Sequence, residues 1–513
     1  MNLFVLTAFC GIAMFNPLWG VAILLVAENS LFHIGTRFAA VALPVGYASM
    51  MDVFFFSLYI GAVHRYLKET KQTLFVSRPI QLQSRTSGEA GEKKTRTLYR
   101  FAKKTMTYIL VPYLVWMVLC LILGVVDGHP DVELVQQIRA AGIRLFPWSL
   151  VMVVWMMRSR VEIILNIALG VATLTALVHV IIQIIDNRTV LMAAYYFLRD
   201  SQDAWILVRQ ALTEKAELVR GIPQGIVLMV STLVFVFTRF ISGQSKMPKL
   251  DLALAGIQVV AIAITITRSL VATFILGIFM GFVFGLRRRA RSRTLFQRTI
   301  VSIIGGVVFL AAFFASNTIY LETWLARFAE LGQDAAIYSA ETNRGLDNVS
   351  SWNAIMDKPI FGWGYHVYPS GFAIGPMLGN DIHPILENGL FGGLVAIAIS
   401  LYMFMVLMRR FNEAGRRDPE VAIRLLPYLA VFSSYLILNS IGAGGSLTGK
   451  GLIAMALFIG ISLAQMSRLE LKVTGTQKSV AAPLPKHRFQ WKKVVSGARS
   501  ANGFVHPVAR NHG

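Results

Sequence analysis

The sequence predicts an all-α polytopic membrane protein, and its composition and its pattern both support that prediction. Hydrophobic residues make up 55% of the 513 residues and charged residues only 15%, whereas about a quarter of the residues in soluble chains are charged. The mean hydropathy is +0.59. Apolar runs close to the length with which an α-helix crosses a hydrocarbon core of about 30 Å recur along most of the chain.

The apolar runs predict about twelve transmembrane helices. The first begins without a basic stretch and lacks a small-residue cleavage site, which is typical of a membrane helix rather than a cleaved signal peptide. The long run 250–286 is interrupted only at 267–269, which predicts a helical hairpin. The runs are 3–27, 38–63, 106–126, 143–157, 161–185, 221–241, 250–267, 269–286, 299–317, 385–408, 424–442 and 450–467.

The charge pattern predicts which ends of these helices face the cytoplasm, because cytoplasmic loops are rich in Lys and Arg. The loop 317–384 carries seven acidic and three basic residues and is predicted on the opposite side. The side of the first two spans stays open, because Arg37 falls in a loop placed outside. The basic stretches, which fall on one side together with both termini, are 64–105, 287–298, 409–424 and the tail after residue 468.

The net charge of +22 has two explanations. In a soluble chain such a charge points to nucleic acid, whereas in a membrane protein it reflects the basic cytoplasmic loops. The basic stretches lie between apolar runs, so we expect membrane lipids and no nucleic acid as partners. The two cysteines, Cys10 and Cys120, lie inside apolar runs, and no metal-ligand spacing is present, so we expect neither a metal nor a cofactor.

Arg268 stands at the interruption of the long apolar run. An ionisable side chain in a membrane segment is costly, so it has either a structural or a functional role. One interpretation is an interfacial anchor whose long stem reaches to the lipid headgroups. The other is a guanidinium that binds an anion at the outer surface, because its planar fork donates two parallel hydrogen bonds to a phosphate group.

The acidic loop contains a second arginine at the start of a predicted helix. The stretch 344–357 offers apolar residues for packing, and Pro359 stops it. Arg344 is then either an exposed loop charge or a ligand. The following Gly362 and Gly364 lack the strand and helix of a dinucleotide site and predict a tight turn near the membrane surface.

Two histidines of this loop are candidates for proton transfer. His383 is either the residue before a helix that begins with proline or a base that takes a proton from a hydroxyl near neutral pH. His366 is a second candidate of the same kind. Glu387, one helical turn after His383, could orient it or bind substrate. Three further glycines predict a close approach between helices; they are Gly389, Gly392 and Gly393.

The order of these motifs resembles the O-antigen ligase-related family, which includes O-antigen ligases and polysaccharide polymerases of bacterial envelopes. An arginine with small neighbours stands at the outer end of a mid-chain helix, at Arg268. An Arg–Trp–Pro–Gly-x-Gly series in a large late loop is matched by Arg344, Trp352, Pro359, Gly362 and Gly364. A histidine before a Glu-x-Gly-Leu-x-Gly helix is matched by His383, Glu387, Gly389, Leu390 and Gly392.

The resemblance implies a metal-independent, GT-C-like membrane glycosyltransferase in the bacterial inner membrane, with its active face in the periplasm. Such an enzyme moves a glycan from an undecaprenyl-diphosphate carrier to an acceptor hydroxyl, on a lipid A core sugar or on another glycan. Arg268 and Arg344 would bind the diphosphate, and His383 would help to activate the acceptor. Further substrate contacts are expected from Trp352, Gly362, Gly364, His366 and Glu387.

The same resemblance divides the chain into three parts. Residues 1–249 are the N-terminal transmembrane helices with the basic cytoplasmic loop 64–105. Residues 250–467 are the ligase-like catalytic region and include the periplasmic loop 317–384. Residues 468–513 form a basic cytoplasmic tail that we expect to be disordered.

Three alternatives stay open. Many family members have Asn or Ser after the histidine and a longer spacing to the Glu-x-Gly helix, whereas here Pro384 follows at once, so His366 is an alternative base to His383. A polymerase shares fold, donor and motifs with a ligase, which we prefer only because the family carries that name. A transporter or flippase for a lipid-linked glycan is disfavoured, because no inverted repeat and no broken helices in matched halves are evident.

Overall fold

The structure of the protein is a computed structural model. Several predicted features lie outside the described residues, namely most of the basic loop 64–105, the tail 468–513, and the site residues Gly364, His366 and His383. The described residues are 2–29, 41–43, 46–48, 50–77, parts of 107–122, 149–185, 225–265, 267–287, 292–329, 343–363, 384–417, 419–441 and 453–465.

The described part of the chain is almost entirely helical, which confirms the predicted all-α class. An antiparallel hairpin of β1 (Val41–Leu43) and β2 (Gly46–Ala48) precedes the helix that begins at Met50. The helices are α1 (Asn2–Phe15), α2 (Pro17–Asn29), α3 (Met50–Ser77), α4 (Val161–Ile185), α5 (Ile226–Ile241), α6 (Pro248–Ile264), α7 (Arg268–Arg287), α8 (Ser292–Ser316), α9 (Thr318–Ala329), α10 (Asn343–Asp357), α11 (Pro384–Arg417), α12 (Pro419–Ile441) and α13 (Ile453–Gln465). Further helical residues lie between 107 and 122 and at 149–156, before a single 3-10 turn at Arg158–Arg160.

The first apolar run is not one straight helix, which corrects the predicted single span over 3–27. It forms α1 and α2, of 14 and 13 residues, with a break at Asn16. The bend is sharp, because a Cβ atom added to Gly20 would lie 2.9 Å from the Cβ of Ala13, although seven residues of straight helix extend over about 10 Å. Pro17 has no N–H to donate to the preceding turn, so the helix breaks there.

The second apolar run also differs from its prediction as a helix over 38–63. Its first part forms the β-hairpin, and α3 begins only at Met50 and continues to Ser77. Pro44, which lies between the two strands in the sequence, is strongly disfavoured in a helix interior.

Two helices in the described part of the chain are long and apolar enough to cross a membrane, as judged by length and composition. They are Arg158–Ile181, half of which is buried in the protein, and Phe296–Ser316, of which only 11% is buried. Five further apolar helical segments have 10–17 residues, namely Pro17–Val26, Ile226–Ile241, Leu270–Gly285, Ile423–Ser434 and Ile453–Gln465. The expected count of about twelve spans therefore stays a prediction.

The predicted hairpin over 250–286 is confirmed as α6 and α7, and α7 packs at the centre of the bundle. A Cβ atom added to Gly277 would lie 3.0 Å from the Cβ of Ser434 in α12 and 3.1 Å from Val234 in α5. One at Gly281 would lie 3.1 Å from the Cβ of Ala430. From Gly277 to Gly281 the residue numbers rise along α7, while those of the facing residues in α12 fall from Ser434 to Ala430. Helices α7 and α12 are therefore antiparallel. Small residues four positions apart allow such close backbone approach.

Polar contacts gather several helix termini at one end of the bundle. Gln244, just after α5, donates a hydrogen bond from Nε2 to the carbonyl of Ile423 near the start of α12. Arg298, near the start of α8, donates to the carbonyl of Phe240 at 3.4 Å. The end of α7 and the start of α8 belong to the same region, which we call the basic end.

A buried ion pair strengthens the basic end. Arg239 at the end of α5 donates from Nε to Oδ2 of Asp251 at 2.9 Å, and a second bond joins Nη2 to Oδ1. Asp251 lies in the first turn of α6 and is buried. Because a buried carboxylate is stable only when it is paired, this contact holds the start of α6 against α5.

We expect Gly277→Leu to lower the thermal unfolding temperature of the purified protein. The new side chain would meet α5 and α12 at contact distance, and overpacking of this kind costs about 1–3 kcal/mol of unfolding free energy. Gly305→Leu in α8 is the matched control, because a Cβ atom there meets nothing within 4 Å. Equal unfolding temperatures for the two variants would contradict the close packing of α7.

Candidate functional site

The end of the bundle opposite the basic end carries the predicted motifs, and we call it the motif end. Helices α6 and α8 start at the basic end, so they reach the motif end at Ile264 and Ser316, and α7 starts there with Arg268. Helix α9 follows α8 directly and returns to the tip of α6, where Trp324 donates from Nε1 to the carbonyl of Ala263 at 2.8 Å.

The contact between α9 and α6 is a small apolar cluster. Tyr320 and Trp324 of α9 are buried against Val260 and Ile264 of α6. Burial raises the pKa of Tyr320 to about 12, so its phenol is neutral at physiological pH. The start of the predicted outer loop is thereby fixed to the hairpin that carries Arg268.

The hairpin tip before Arg268 is closed by threonine hydroxyls. Thr265 donates to the carbonyl of Ile262 at 2.7 Å, and Thr267 donates to the carbonyl of Thr265 at 3.0 Å. The carbonyl of Thr267 accepts from the backbone N–H of Leu270 in the first turn of α7. Arg268 is therefore the first residue of a long helix, at the end where the helix dipole attracts anions. An anion bound there would be stabilised by the helix terminus.

Helix α10 confirms the helix predicted over 344–357. It runs from Asn343 to Asp357, with Arg344 as its second residue. Trp352 is half-exposed, whereas Ala354 and Ile355 are fully buried. One face of α10 therefore packs into the protein and the other is open.

Helix α11 is broken at Gly393, where φ is 62° and ψ is −160°. The segment 358–363 lies in the break, and we call it the inserted turn. The backbone N–H of Leu394 donates to the carbonyl of Pro359 at 2.8 Å, and the N–H of Val395 donates to the carbonyl of Ile360 at 3.3 Å. The inserted turn thus supplies acceptors to the second half of α11.

The inserted turn also supplies a donor to the first half of α11. The N–H of Trp363 donates to the carbonyl of Leu390 at 2.8 Å. In an uninterrupted α-helix this carbonyl would accept from Leu394, four residues later. Hydrogen bonds to the inserted turn therefore replace bonds that a continuous α11 would form within itself.

Two glycines of the motifs are required by this geometry. Gly362 has φ of 68°, and an added Cβ atom would lie 2.6 Å from both the carbonyl oxygen of Leu390 and the nitrogen of Gly393. A Cβ atom on Gly389 would lie 2.8 Å from the side chain of Ile355. The close approach predicted at Gly389 is confirmed, with α10 as the neighbouring helix, and at Gly393 the neighbour is the inserted turn rather than another helix.

The side chain of Trp363 ties the inserted turn to α10. Its Nε1 donates to the carbonyl of Ala354 at 2.8 Å. The ammonium group of Lys358 lies 4.3 Å from the centre of its ring, a cation–π contact. The turn is thus held by α10 on one side and by α11 on the other.

The break in α11 was not predicted from the sequence, and it weakens the argument against a transporter. The signal was present as two glycine clusters, at 362–364 and 389–393, but hydropathy alone does not pair them. Half-helices of this kind are common around substrate sites in transporters.

The structure brings together the elements that carry most of the predicted site residues. The inserted turn joins α10, which bears Arg344 and Trp352, to the first half of α11, which bears Glu387. The second half of α11 extends about 36 Å from the break to the basic end, so the break lies toward the motif end, as does Arg268. The side chains of Arg268, Arg344 and Glu387 lie outside the described residues.

No protein-family model matches this chain, and no curated protein matches it significantly. The family resemblance therefore rests on the motifs themselves. Within the described residues, no group of three or more His, Cys, Asp or Glu side chains is arranged to hold a metal ion.

We expect Trp363→Phe to reduce stability more than Trp352→Phe. The first change removes the hydrogen bond to the carbonyl of Ala354, and a lost bond of this type costs about 0.5–1.5 kcal/mol of unfolding free energy. Trp352 is half-exposed on α10, close in sequence to Ala354, and serves as the control. The measurement is thermal unfolding of both purified variants, and an equal loss would contradict the assigned contact of Trp363.

Proposed function

We propose that the protein is an O-antigen ligase-like glycosyltransferase of the bacterial inner membrane. It transfers a glycan from an undecaprenyl-diphosphate carrier to an acceptor hydroxyl at the periplasmic face. The motif order supports this proposal, and one structural observation carries it. The segments bearing Arg268, Arg344 and Glu387 reach one end of the bundle, opposite the basic end.

The proposed reaction depends on stabilising the leaving group. The acceptor oxygen attacks the anomeric carbon of the donor sugar, the bond from that carbon to the diphosphate oxygen breaks, and undecaprenyl diphosphate leaves. Arg268 and Arg344 bind the diphosphate and neutralise the charge that develops on it. One preorganised donor of this kind is worth about 3 kcal/mol of the barrier.

The acceptor hydroxyl loses its proton to a histidine in this proposal. His383 is our preferred base and His366 the alternative, because a neutral imidazole accepts a proton near neutral pH. Glu387 orients the histidine or binds the acceptor. Trp352, half-exposed on α10, offers an aromatic face to a sugar ring.

The proposed topology has about twelve spans, with both termini in the cytoplasm. The basic end supports it, because positive residues mark the cytoplasmic side of membrane proteins. Arg298 near the start of α8 contacts the end of α5 there, and the start of α12, which follows the basic C-terminal turns of α11, contacts Gln244 just after α5. Arg158, between the helical residues 149–156 and α4, is a further positive residue predicted on that side.

Two alternatives to a ligase remain: a polymerase, which differs in its acceptor, and a transporter, which belongs to another class of protein. A polymerase would use the same donor and pass the glycan to another carrier-linked glycan instead of lipid A core. A transporter or flippase is favoured by one observation, the broken helix α11. The motif positions at one end of the bundle favour chemistry at a surface over passage through the protein.

We expect Arg268→Ala and Arg344→Ala each to lower glycan transfer in the native host by about 100-fold, the effect of one lost preorganised donor. Carrier-linked glycans and surface polysaccharide are quantified and resolved by size. Arg409→Ala is the control, because Arg409 is an exposed arginine paired with Glu413 in the same helix turn.

The pattern of accumulated intermediates separates the proposals. Full-length carrier-linked chains with bare acceptor indicate a ligase, and single repeat units indicate a polymerase. Normal transfer in both arginine variants and in His383→Ala, with normal membrane insertion, would remove the site assignment and favour the transporter.

A further inference from the structure

The backbone groups at the break in α11 have a second complete set of partners within the same helix. The N–H of Leu394 and the carbonyl of Leu390 now bond to the inserted turn, at Pro359 and Trp363. These two groups are four residues apart, the spacing at which an α-helix pairs them with each other. Val395 likewise has an alternative acceptor four residues earlier.

The hydrogen-bonding groups of α11 and those of the inserted turn differ in their exposure to solvent. Leu390 is fully buried at the break with the turn in place, so its carbonyl needs a protein partner there, and Trp363 provides it. Ile360 and Phe361 of the inserted turn are exposed, so the turn's groups can bond to water if it leaves. Withdrawal of the turn is therefore tolerated only if α11 closes its own hydrogen bonds.

Gly393 is the residue that permits both arrangements. Its φ of 62° with ψ of −160° is a conformation that residues with a side chain rarely adopt. A Cβ atom there would also contact the carbonyl of Ile360. In a continuous helix, by contrast, its dihedrals would be ordinary ones.

We propose that α11 is a two-state helix. In one state the inserted turn occupies the break at Gly393. In the other state the turn is released and α11 is continuous, with Leu394 bonded to Leu390 and Val395 bonded to Phe391. This change alters the angle between the two halves of α11 and removes the hydrogen bond from Trp363 to its first half. It concerns the chain's own conformations and does not rest on the proposed reaction.

The test is amide hydrogen exchange on the full-length protein in lipid nanodiscs. In the wild type we expect the amide of Trp363, which bonds to the carbonyl of Leu390 in the docked state, to exchange about tenfold faster than those of Leu394 and Val395. An exchange rate for Trp363 equal to those of Leu394 and Val395 would overturn the proposal.

Two variants displace the turn from opposite sides. Gly393→Ala disfavours the break, and Gly362→Ala clashes with the carbonyl of Leu390 without changing α11. In each we expect the amide of Trp363 to lose protection while Leu394 and Val395 keep theirs, because α11 closes on itself. Gly305→Ala in α8 is the control, where a Cβ atom has open space.

Either of two outcomes in these variants would overturn the proposal. If Leu394 and Val395 lose protection together with the turn, the break stays open and there is no second state. If the turn stays as protected as in the wild type, Gly393 and Gly362 do not control its docking. Circular dichroism confirms that each variant is folded before its exchange is compared.

Discussion

The backbone hydrogen bonds between the inserted turn and α11 are the constraint on which the motif end depends. Breaking a helix inside a protein exposes donors and acceptors that must be paired, and here the segment after α10 pairs them. Pro359, Ile360 and Trp363 provide the partners, and glycines at 362 and 393 provide the space and the backbone angles. The glycines that resemble a family motif therefore have a direct structural role, whatever reaction the protein performs.

The rest of the bundle determines where this junction lies. The small residues at 277 and 281 let α7 pack closely against α12, and polar contacts from Gln244 and Arg298 fix the opposite, basic end. A buried chain of hydrogen bonds adds a link between three helices, since Thr232 donates to Gln258, which donates to Thr173. With both ends defined, Arg268 at the start of α7 and the junction of α10 with α11 fall on the same side.

Local signals in the sequence predict individual elements well. Pro359 marks the end of α10, and the interruption at 267–269 marks the hairpin of α6 and α7. Hydropathy does not predict helix breaks that arise from the backbone. Pro17 breaks the first apolar run, and α11 breaks at Gly393 although its sequence stays apolar on both sides. The sequence also does not predict the contact between the two glycine clusters, because this contact joins backbone atoms of segments about thirty residues apart in the chain. The sequence predicts the candidate residues, whereas the junction of α10 with α11 depends on these long-range contacts.

The most direct test of the shared site is a distance measurement between spin labels that leaves both arginines in place. Labels on Ser269→Cys and Gly345→Cys, with Cys10 and Cys120 replaced by serine, report on the positions of Arg268 and Arg344. A label on Gln297→Cys at the start of α8 marks the basic end, about one length of α7, roughly 30 Å, from residue 269. We expect residue 269 to lie closer to 345 than to 297. A separation from 345 equal to or greater than that from 297 would contradict a single diphosphate site formed by both arginines.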